Sequence, residues 1–273
     1  MGKQARLTII GAGNIGRAMA AGLVGAGRFP SSEIILTRRT VALLADMAQQ
    51  GFQTQADNRD AVRRADSVII AVQPGQLDQV LEEIGPDLAA GRQLLISVVS
   101  GVSLDDLQRQ VGRNVPVARA MPNTGIALGR SMTCVAMGSD DAELRQKVLA
   151  IFDSVGRTLV IDEELMTPAT ALGACGIAFF LRAIRAAAQG GIEIGFHPEE
   201  ALIMAAQTAL GAASLVLDND RHPEREIDSV TTPRGCTISG LNEMEHRGFS
   251  SAMIRGITTS AEKARSLYSR GGD

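Results

Sequence analysis

A chain of 273 residues, 45% hydrophobic and 21% charged, is long enough for two domains with cores of their own and too apolar to be disordered. The net charge of −3, without a basic run, argues against nucleic acid as the main partner. Three widely spaced cysteines, Cys134, Cys175 and Cys236, offer neither zinc-site spacing nor a disulfide framework. This cysteine pattern fits a reducing cytosol, so we expect a cytoplasmic protein without a metal site. The first residues run directly into a predicted strand, so we expect no signal peptide.

The first predicted strand begins at Leu7 and ends in a glycine-rich turn that opens into an alanine-rich helix. The glycines follow the GxGxxG spacing of dinucleotide sites, which serves a tight turn, close approach of a pyrophosphate and close packing of helix on strand. The helix start offers unpaired N–H groups and a positive dipole end to phosphates. Glycine pairs also occur in plain turns, but the strand before and the helix after favour a cofactor site here. We predict that its residues are Gly11, Ala12, Gly13, Asn14, Ile15 and Gly16.

The second predicted strand, 33–37, is followed by Arg38 and Arg39. Proteins that prefer NAD usually place an Asp or Glu here to bind the ribose 2′-hydroxyl. A carboxylate would repel a 2′-phosphate, whereas guanidinium groups pair with it. The alternative is that both arginines are solvated residues of a surface loop. With the glycine turn upstream, the sequence favours a contact with NADPH, with NADH possible.

Strands and helices alternate as far as residue 161, which is typical of a doubly wound α/β sheet. The remaining strands are predicted at 67–72, 94–99, 115–120, 133–137 and 158–161, and the helices at 14–26, 41–50, 76–89 and 104–111, with another starting near Asp141. We assign residues 1–162 to an NADP-binding domain of Rossmann type.

After residue 162 only helices are predicted, at 167–194, 197–217, 238–246 and 250–269. The first two carry so little charge that a dimer interface explains them better than a bundle within one chain. The window 201–217 is near the lower limit for crossing a bilayer, but it contains Gln207 and Thr208, so we favour a buried or subunit-facing helix. Residues 163–273 are thus predicted to form an all-α dimerisation and substrate-binding domain.

The chemistry points away from an alcohol substrate. A hydroxyacid dehydrogenase needs a base, usually Lys or His, to take the hydroxyl proton. Lys263 is the only lysine after residue 147, and His197, His222 and His246 each lie near a predicted helix end or turn. An imine can enter already protonated, so its reduction requires orientation and one hydroxyl near the nitrogen.

The stretch 229–238 offers hydroxyls on both sides of a Pro/Gly turn that opens a helix. The backbone N–H groups of such a helix start can hold a carboxylate, although an ordinary capped helix start fits the composition equally well.

Five segments together resemble the pyrroline-5-carboxylate reductase family over essentially the whole chain: IGAGNIG at 10–16, AVQPG at 71–75, SGVSL at 100–104, RAMPNTG at 119–125 and VTTPRGCTISGL at 230–241. The resemblance implies NAD(P)H-dependent reduction of the cyclic imine 1-pyrroline-5-carboxylate to L-proline, the last step of proline biosynthesis. It also implies a homodimer or larger oligomer in which helical domains interlock, with the active site between the cofactor domain and the helices of the dimer.

Roles at the substrate follow from this resemblance by position. Thr237 matches the catalytic threonine whose hydroxyl lies by the ring nitrogen, and Cys236 matches the residue beside the carboxylate. Ser229 and Glu163 match substrate-facing residues, and Asp220 falls where some members have a glutamate.

Further cofactor positions follow in the same way. They are Arg38 at the 2′-phosphate, Asn58 on the adenosine side, and Val72, Gln73, Pro74 and Val99 after the third and fourth predicted strands.

The chain departs from the family pattern in two places near the expected substrate. The family's SGSGPAY is GACGIAF at 173–179, and a glycine of its PGGTT turn is replaced by Arg234, which either contacts an anionic substrate or points to solvent. A reductase of a related imine acid, such as a six-membered piperideine carboxylate, and a non-catalytic NADP-binding paralogue therefore remain alternatives.

Overall fold

The computed structural model describes residues 6–112, 114–139, 141–219 and 221–266. The chain divides into two compact units. One is made of the described residues up to Cys175 and from Ser260 onward, and the other comprises Gly176–Thr259. This division falls within the helical segment that follows the last strand, whereas the domain boundary predicted from the sequence lies between residues 162 and 163.

The first unit is built on a doubly wound sheet of eight strands, which confirms the predicted fold class. The order is β3-β2-β1-β4-β5-β6-β7-β8, and every neighbouring pair is parallel except β6 with β7. Because β2 and β4 flank β1, the chain reverses its winding direction between β1 and β4, where ligands bind in such sheets. The strands are β1 Leu7–Ile10, β2 Ile34–Thr37, β3 Gln53–Gln55, β4 Ser67–Ile70, β5 Leu94–Ser97, β6 Val117–Met121, β7 Ser131–Met137 and β8 Gly156–Val160.

Hydrophobic clusters cover both faces of this sheet. Ile9 of β1 belongs to one cluster and Ile10 to the other, as the alternation of side chains along a strand requires. All four residues of β1, β2 and β5 are buried, which explains why these strands are apolar almost throughout.

The helices of the first unit begin with recognisable signals. Ser103 and Asp106 form a capping box at α5, and the Asp141 side chain accepts hydrogen bonds from the first-turn amides of α6. These α-helices are α1 Asn14–Gly25, α2 Ala45–Gln49, α3 Asn58–Arg63, α4 Leu77–Ile84, α5 Leu104–Val111, α6 Ala142–Phe152 and α7 Met166–Ala169.

The predicted helix 167–194 is not one continuous α-helix. A π-helical stretch, Thr170–Cys175, follows α7, and the next α-helix, α8, starts at Gly176. The Thr170 hydroxyl donates to the Met166 carbonyl at 2.9 Å, and the Asn123 amide donates to the Gly173 carbonyl at 3.0 Å. These side-chain donors serve backbone carbonyls along the stretch, which favours the wider turn.

The second unit is helical and exposes many apolar side chains. Its helices are α8 Gly176–Glu193, α9 Pro198–Asn219, α10 Pro223–Ser229, α11 Cys236–His246 and α12 Phe249–Ala264, the last of which continues into the first unit. Large side chains on α8, α9 and α12 are more than half exposed: Phe180, Leu181, Ile203, Leu210, Leu217 and Ile254. An apolar surface of this extent is typical of a subunit interface.

Candidate active site

The three glycines of the turn after β1 occupy different steric environments. Gly11 has φ of 86°, and a Cβ there would lie 2.6 Å from Val72 Cγ1 and 2.8 Å from the Ala71 oxygen. A Cβ on Gly16 would lie 3.0 Å from the Gly11 oxygen, so this glycine permits close packing of α1. A Cβ on Gly13 would meet nothing closer than the Gly11 oxygen at 3.9 Å, so the space beside it is open. This is the arrangement that a pyrophosphate needs.

The N-terminus of α1 keeps its backbone donors available. Its N-cap is Gly13, without a capping side chain, and the first turn contains no acid. Within the described residues no group accepts from the N–H of Asn14, Ile15 or Gly16, whereas the Ala12 N–H donates to the Thr37 oxygen at 2.9 Å. Three free N–H groups at the positive end of a helix dipole fit a cofactor phosphate.

A cleft of about 390 Å³ opens beside this turn at the carboxyl ends of β1, β2 and β4. Six of the predicted cofactor residues line it: Gly11, Gly13, Arg38, Asn58, Val72 and Gln73. Pro74 and Val99 are not among its lining residues, and Val99 is buried in a core cluster. The cleft thus gathers residues from four separate parts of the sequence.

The charges of the cleft are of mixed sign. Neither Arg38 nor Arg39 forms an ion pair in the part of the chain that the structure describes, so both guanidinium groups are available to a phosphate. Sequence reasoning missed Glu83, which lines the same cleft from α4. Asn58 links the end of β2 to α4, because its Oδ1 accepts from the Thr37 hydroxyl at 2.7 Å and its Nδ2 donates to Glu83 Oε2 at 3.0 Å.

Glu163, predicted to face substrate, already has partners inside the first unit. Its Oε1 accepts from the Leu104 N–H at 2.5 Å and from Arg119 Nη1 at 2.9 Å. Arg119 is 5% exposed, so this pair is half buried and holds the start of α5 against the sheet. The Oε2 atom of Glu163 forms no hydrogen bond within the described residues, and a direct role of this side chain at the substrate stays a prediction.

The end of α10 and the start of α11 contain the other predicted substrate residues. The Ser229 hydroxyl donates to the Glu226 carbonyl at 2.7 Å, which ends α10. Thr237 is the second residue of α11 and its hydroxyl has no protein partner within the described ranges. The N-cap of α11 is Gly235, without a capping side chain or a first-turn acid, so the N–H groups of Cys236 and Thr237 can hold a carboxylate.

Arg234 lies directly before this helix start. Its φ of 62° makes it the only non-glycine residue with positive φ in the described part of the chain. A side chain pays a conformational cost in this region, which glycine would avoid. The guanidinium is exposed.

The three histidines are exposed, and one of them caps a helix. Nδ1 of His222 accepts from the Glu224 N–H at 3.3 Å and caps α10, while His197 and His246 are exposed. Asp220, a further candidate, lies outside the described residues. Within those residues no group of three or more metal-ligating side chains is placed to hold an ion.

Comparison with known proteins covers both units. The family described as "NADP oxidoreductase coenzyme F420-dependent" matches residues 6–101, and the family described as "Pyrroline-5-carboxylate reductase dimerisation" matches residues 163–267. Among the described residues, two helical stretches, 163–193 and 198–218, are long and apolar enough to cross a membrane by length and composition alone. Both lie inside the dimerisation match, which accounts for their apolar surfaces through subunit contact.

Relatives of known name match along the whole chain. Pyrroline-5-carboxylate reductase 1 of Dictyostelium discoideum is 50% identical over 97% of this chain, which spans half the length of that relative. Pyrroline-5-carboxylate reductase 2 of the same organism is 45% identical over 94% of this chain and 91% of its own length. The pyrroline-5-carboxylate reductase of Glycine max is 34% identical over 96% of this chain and 95% of its own length.

Solved structures have the same fold. The 1-pyrroline-5-carboxylate reductase of Streptococcus pyogenes superposes with a TM-score of 0.84 at 30% identity, over 96% of this chain and 98% of its own. The Plasmodium falciparum pyrroline carboxylate reductase with NADP bound superposes with a TM-score of 0.86 at 24% identity, over 97% of this chain and 98% of its own. With the glycine turn, the cleft and both matched regions in place, the chain belongs to the pyrroline-5-carboxylate reductase family.

Proposed function

We propose that this protein reduces 1-pyrroline-5-carboxylate to L-proline with NADPH, and with NADH less efficiently. The observation that carries the proposal is 45% identity to a reductase of that name over nine-tenths of both chains. The glycine turn, the three free N–H groups of α1 and the unpaired Arg38 support the cofactor assignment.

A bound nicotinamide would supply a hydride to the imine carbon, and the ring nitrogen would already carry its proton. The chain therefore has to bind and orient the substrate rather than remove a proton from it. The Thr237 hydroxyl has no partner among the described residues, and it is suited to the ring nitrogen. The free N–H groups at the start of α11 would hold the substrate carboxylate.

The enzyme works as a homodimer or a larger oligomer in a cytoplasmic compartment. The exposed apolar side chains of α8, α9 and α12, together with the dimerisation match, support the assembly. The three cysteines are free thiols, as a reducing compartment would keep them. Light scattering coupled to gel filtration measures the assembly, and a monomeric species at micromolar concentration would contradict it.

The test of activity is NADPH oxidation by the purified protein with 1-pyrroline-5-carboxylate, compared with piperideine-2-carboxylate. We expect faster turnover of the five-membered imine, and complementation of a proline auxotroph. Turnover of the six-membered imine alone would assign a different substrate to the same site. Cofactor binding without reduction of either imine would identify a non-catalytic paralogue.

A further inference from the structure

The cofactor cleft contains one carboxylate among its lining residues, and that carboxylate opposes the charge of its arginines. The charged residues that line the cleft are Arg38, Arg39 and Glu83. Two cations favour a ligand with an added phosphate, whereas an anion in the same space disfavours it.

Glu83 is held in place by a chain of hydrogen bonds that starts on the sheet. Thr37, the last residue of β2, is 1% exposed, and its hydroxyl donates to Asn58 Oδ1 at 2.7 Å. Nδ2 of Asn58 then donates to Glu83 Oε2 at 3.0 Å. The carboxylate is therefore fixed at the cleft wall although its helix faces solvent.

The charge of Glu83 is not neutralised by an ion pair within the described residues. Two arginines of α3, Arg59 and Arg63, both pair with Asp87, at 2.5 and 3.1 Å. Arg59 also interacts electrostatically with Glu83, without forming an ion pair with it. Its second oxygen, Oε1, has no hydrogen-bond partner in the same residues. The carboxylate thus adds an unpaired acidic group and a free acceptor oxygen to the wall of the cleft.

We propose that Glu83 is a specificity-determining residue that limits the preference for NADPH and lets the protein also bind NADH. This inference rests on the proposed function, in that the cleft takes the adenosine end of a nicotinamide dinucleotide. A carboxylate accepts hydrogen bonds from the free ribose hydroxyls of NADH and repels the 2′-phosphate of NADPH. Arg38 and Arg39 act in the opposite direction, so the preference between the two cofactors is the difference between the two effects.

The test is direct binding of each cofactor to the full-length Glu83→Gln variant, by isothermal titration calorimetry in the absence of imine. The glutamine amide oxygen can still accept from Asn58, so the variant removes the charge and keeps the wall of the cleft. Glu82→Gln is the matched control, because Glu82 is the adjacent exposed residue of α4, carries the same charge and does not line the cleft.

We expect Glu83→Gln to bind NADPH about three- to tenfold more tightly and NADH several-fold more weakly, as removal of one charge facing a phosphate in a hydrated cleft predicts. The tightening of NADPH should shrink as salt is raised, because the cleft is open to solvent. Glu82→Gln should leave the ratio of the two dissociation constants within about twofold of wild type.

An unchanged ratio in Glu83→Gln, or an equal loss of both cofactors, would overturn the inference. Wild-type protein that binds NADPH but reduces no imine would refute the proposed reaction and leave this inference to be decided by the ratio. Wild-type protein that binds neither cofactor would refute both.

Discussion

Replacement of Gly13 with alanine should separate the demands of the cofactor from those of the fold. The backbone at Gly13 is extended, with φ of −83° and ψ of −152°, and a Cβ there would have 3.9 Å to its nearest neighbour. An alanine fits this space, so the free energy of unfolding without cofactor should stay within about 0.5 kcal/mol of wild type. Any large effect of the methyl group must therefore come from a ligand.

The ligand effect is set by the hydrogen bonds that the methyl group would obstruct. Hydrogen bonds to charged groups contribute about 1.5–3 kcal/mol each, so losing one from a pyrophosphate weakens NADPH by about 10- to 100-fold. Titration calorimetry measures the binding, and urea unfolding followed by circular dichroism at one protein concentration measures the stability.

Gly25→Ala is the matched control, since Gly25 ends the same helix and has no atom within 4 Å of a built Cβ. It should leave NADPH binding unchanged. Binding of NADPH to Gly13→Ala within about twofold of wild type would refute the placement of the pyrophosphate at this turn. A fall in unfolding free energy of about 2 kcal/mol or more would instead show that the turn itself requires the glycine.

Three further substitutions test the site and the packing. Thr237→Ala should lower kcat/KM for the imine by about tenfold or more and leave NADPH binding intact, whereas Ser239→Ala on the same helix should leave kcat/KM unchanged. Unchanged kinetics in Thr237→Ala would remove Thr237 from the site. Arg38→Glu should weaken NADPH by about 10- to 100-fold and NADH much less, measured by calorimetry, and equal losses would make Arg38 a surface residue. Gly22→Ala places a Cβ against a backbone carbonyl and should lower the unfolding free energy by about 2–4 kcal/mol, whereas Gly25→Ala should leave it unchanged. Equal urea midpoints for the two variants would contradict this packing.

The central strands could be predicted from the sequence because their own residues carry the signal. β1, β4 and β5 are buried nearly throughout, and an uninterrupted apolar run follows from that burial. β3 was missed because it is a three-residue edge strand, Gln53–Gln55, with half-buried polar side chains. The strand conformation comes from pairing with β2, and the local sequence pattern does not predict that pairing.

The π-helical stretch could not be predicted for a different reason. One of its supporting hydrogen bonds comes from Asn123, which is 50 residues before the carbonyl of Gly173. A contact over that distance leaves no periodicity in the helix sequence, which by itself reads as continuous. The same limit applies to Glu83, whose link to Asn58 spans 25 residues.

The helix starts connect these local signals to the chemistry of the site. Four helices, α3, α5, α6 and α10, have their first amides satisfied by a side chain of the protein, from Asp57, Ser103, Asp141 and His222 respectively. Helices α1 and α11 instead begin at Gly13 and Gly235, with no capping side chain and no acid in the first turn. A cap at either place would compete with an anionic ligand for the same N–H groups and for the same positive end of the dipole. Helices α2, α4 and α7 also lack a capping side chain, but each continues directly from a 3₁₀ turn. At α1 and α11 the missing cap leaves N–H groups for the anions of the proposed reaction, the cofactor pyrophosphate at α1 and the substrate carboxylate at α11.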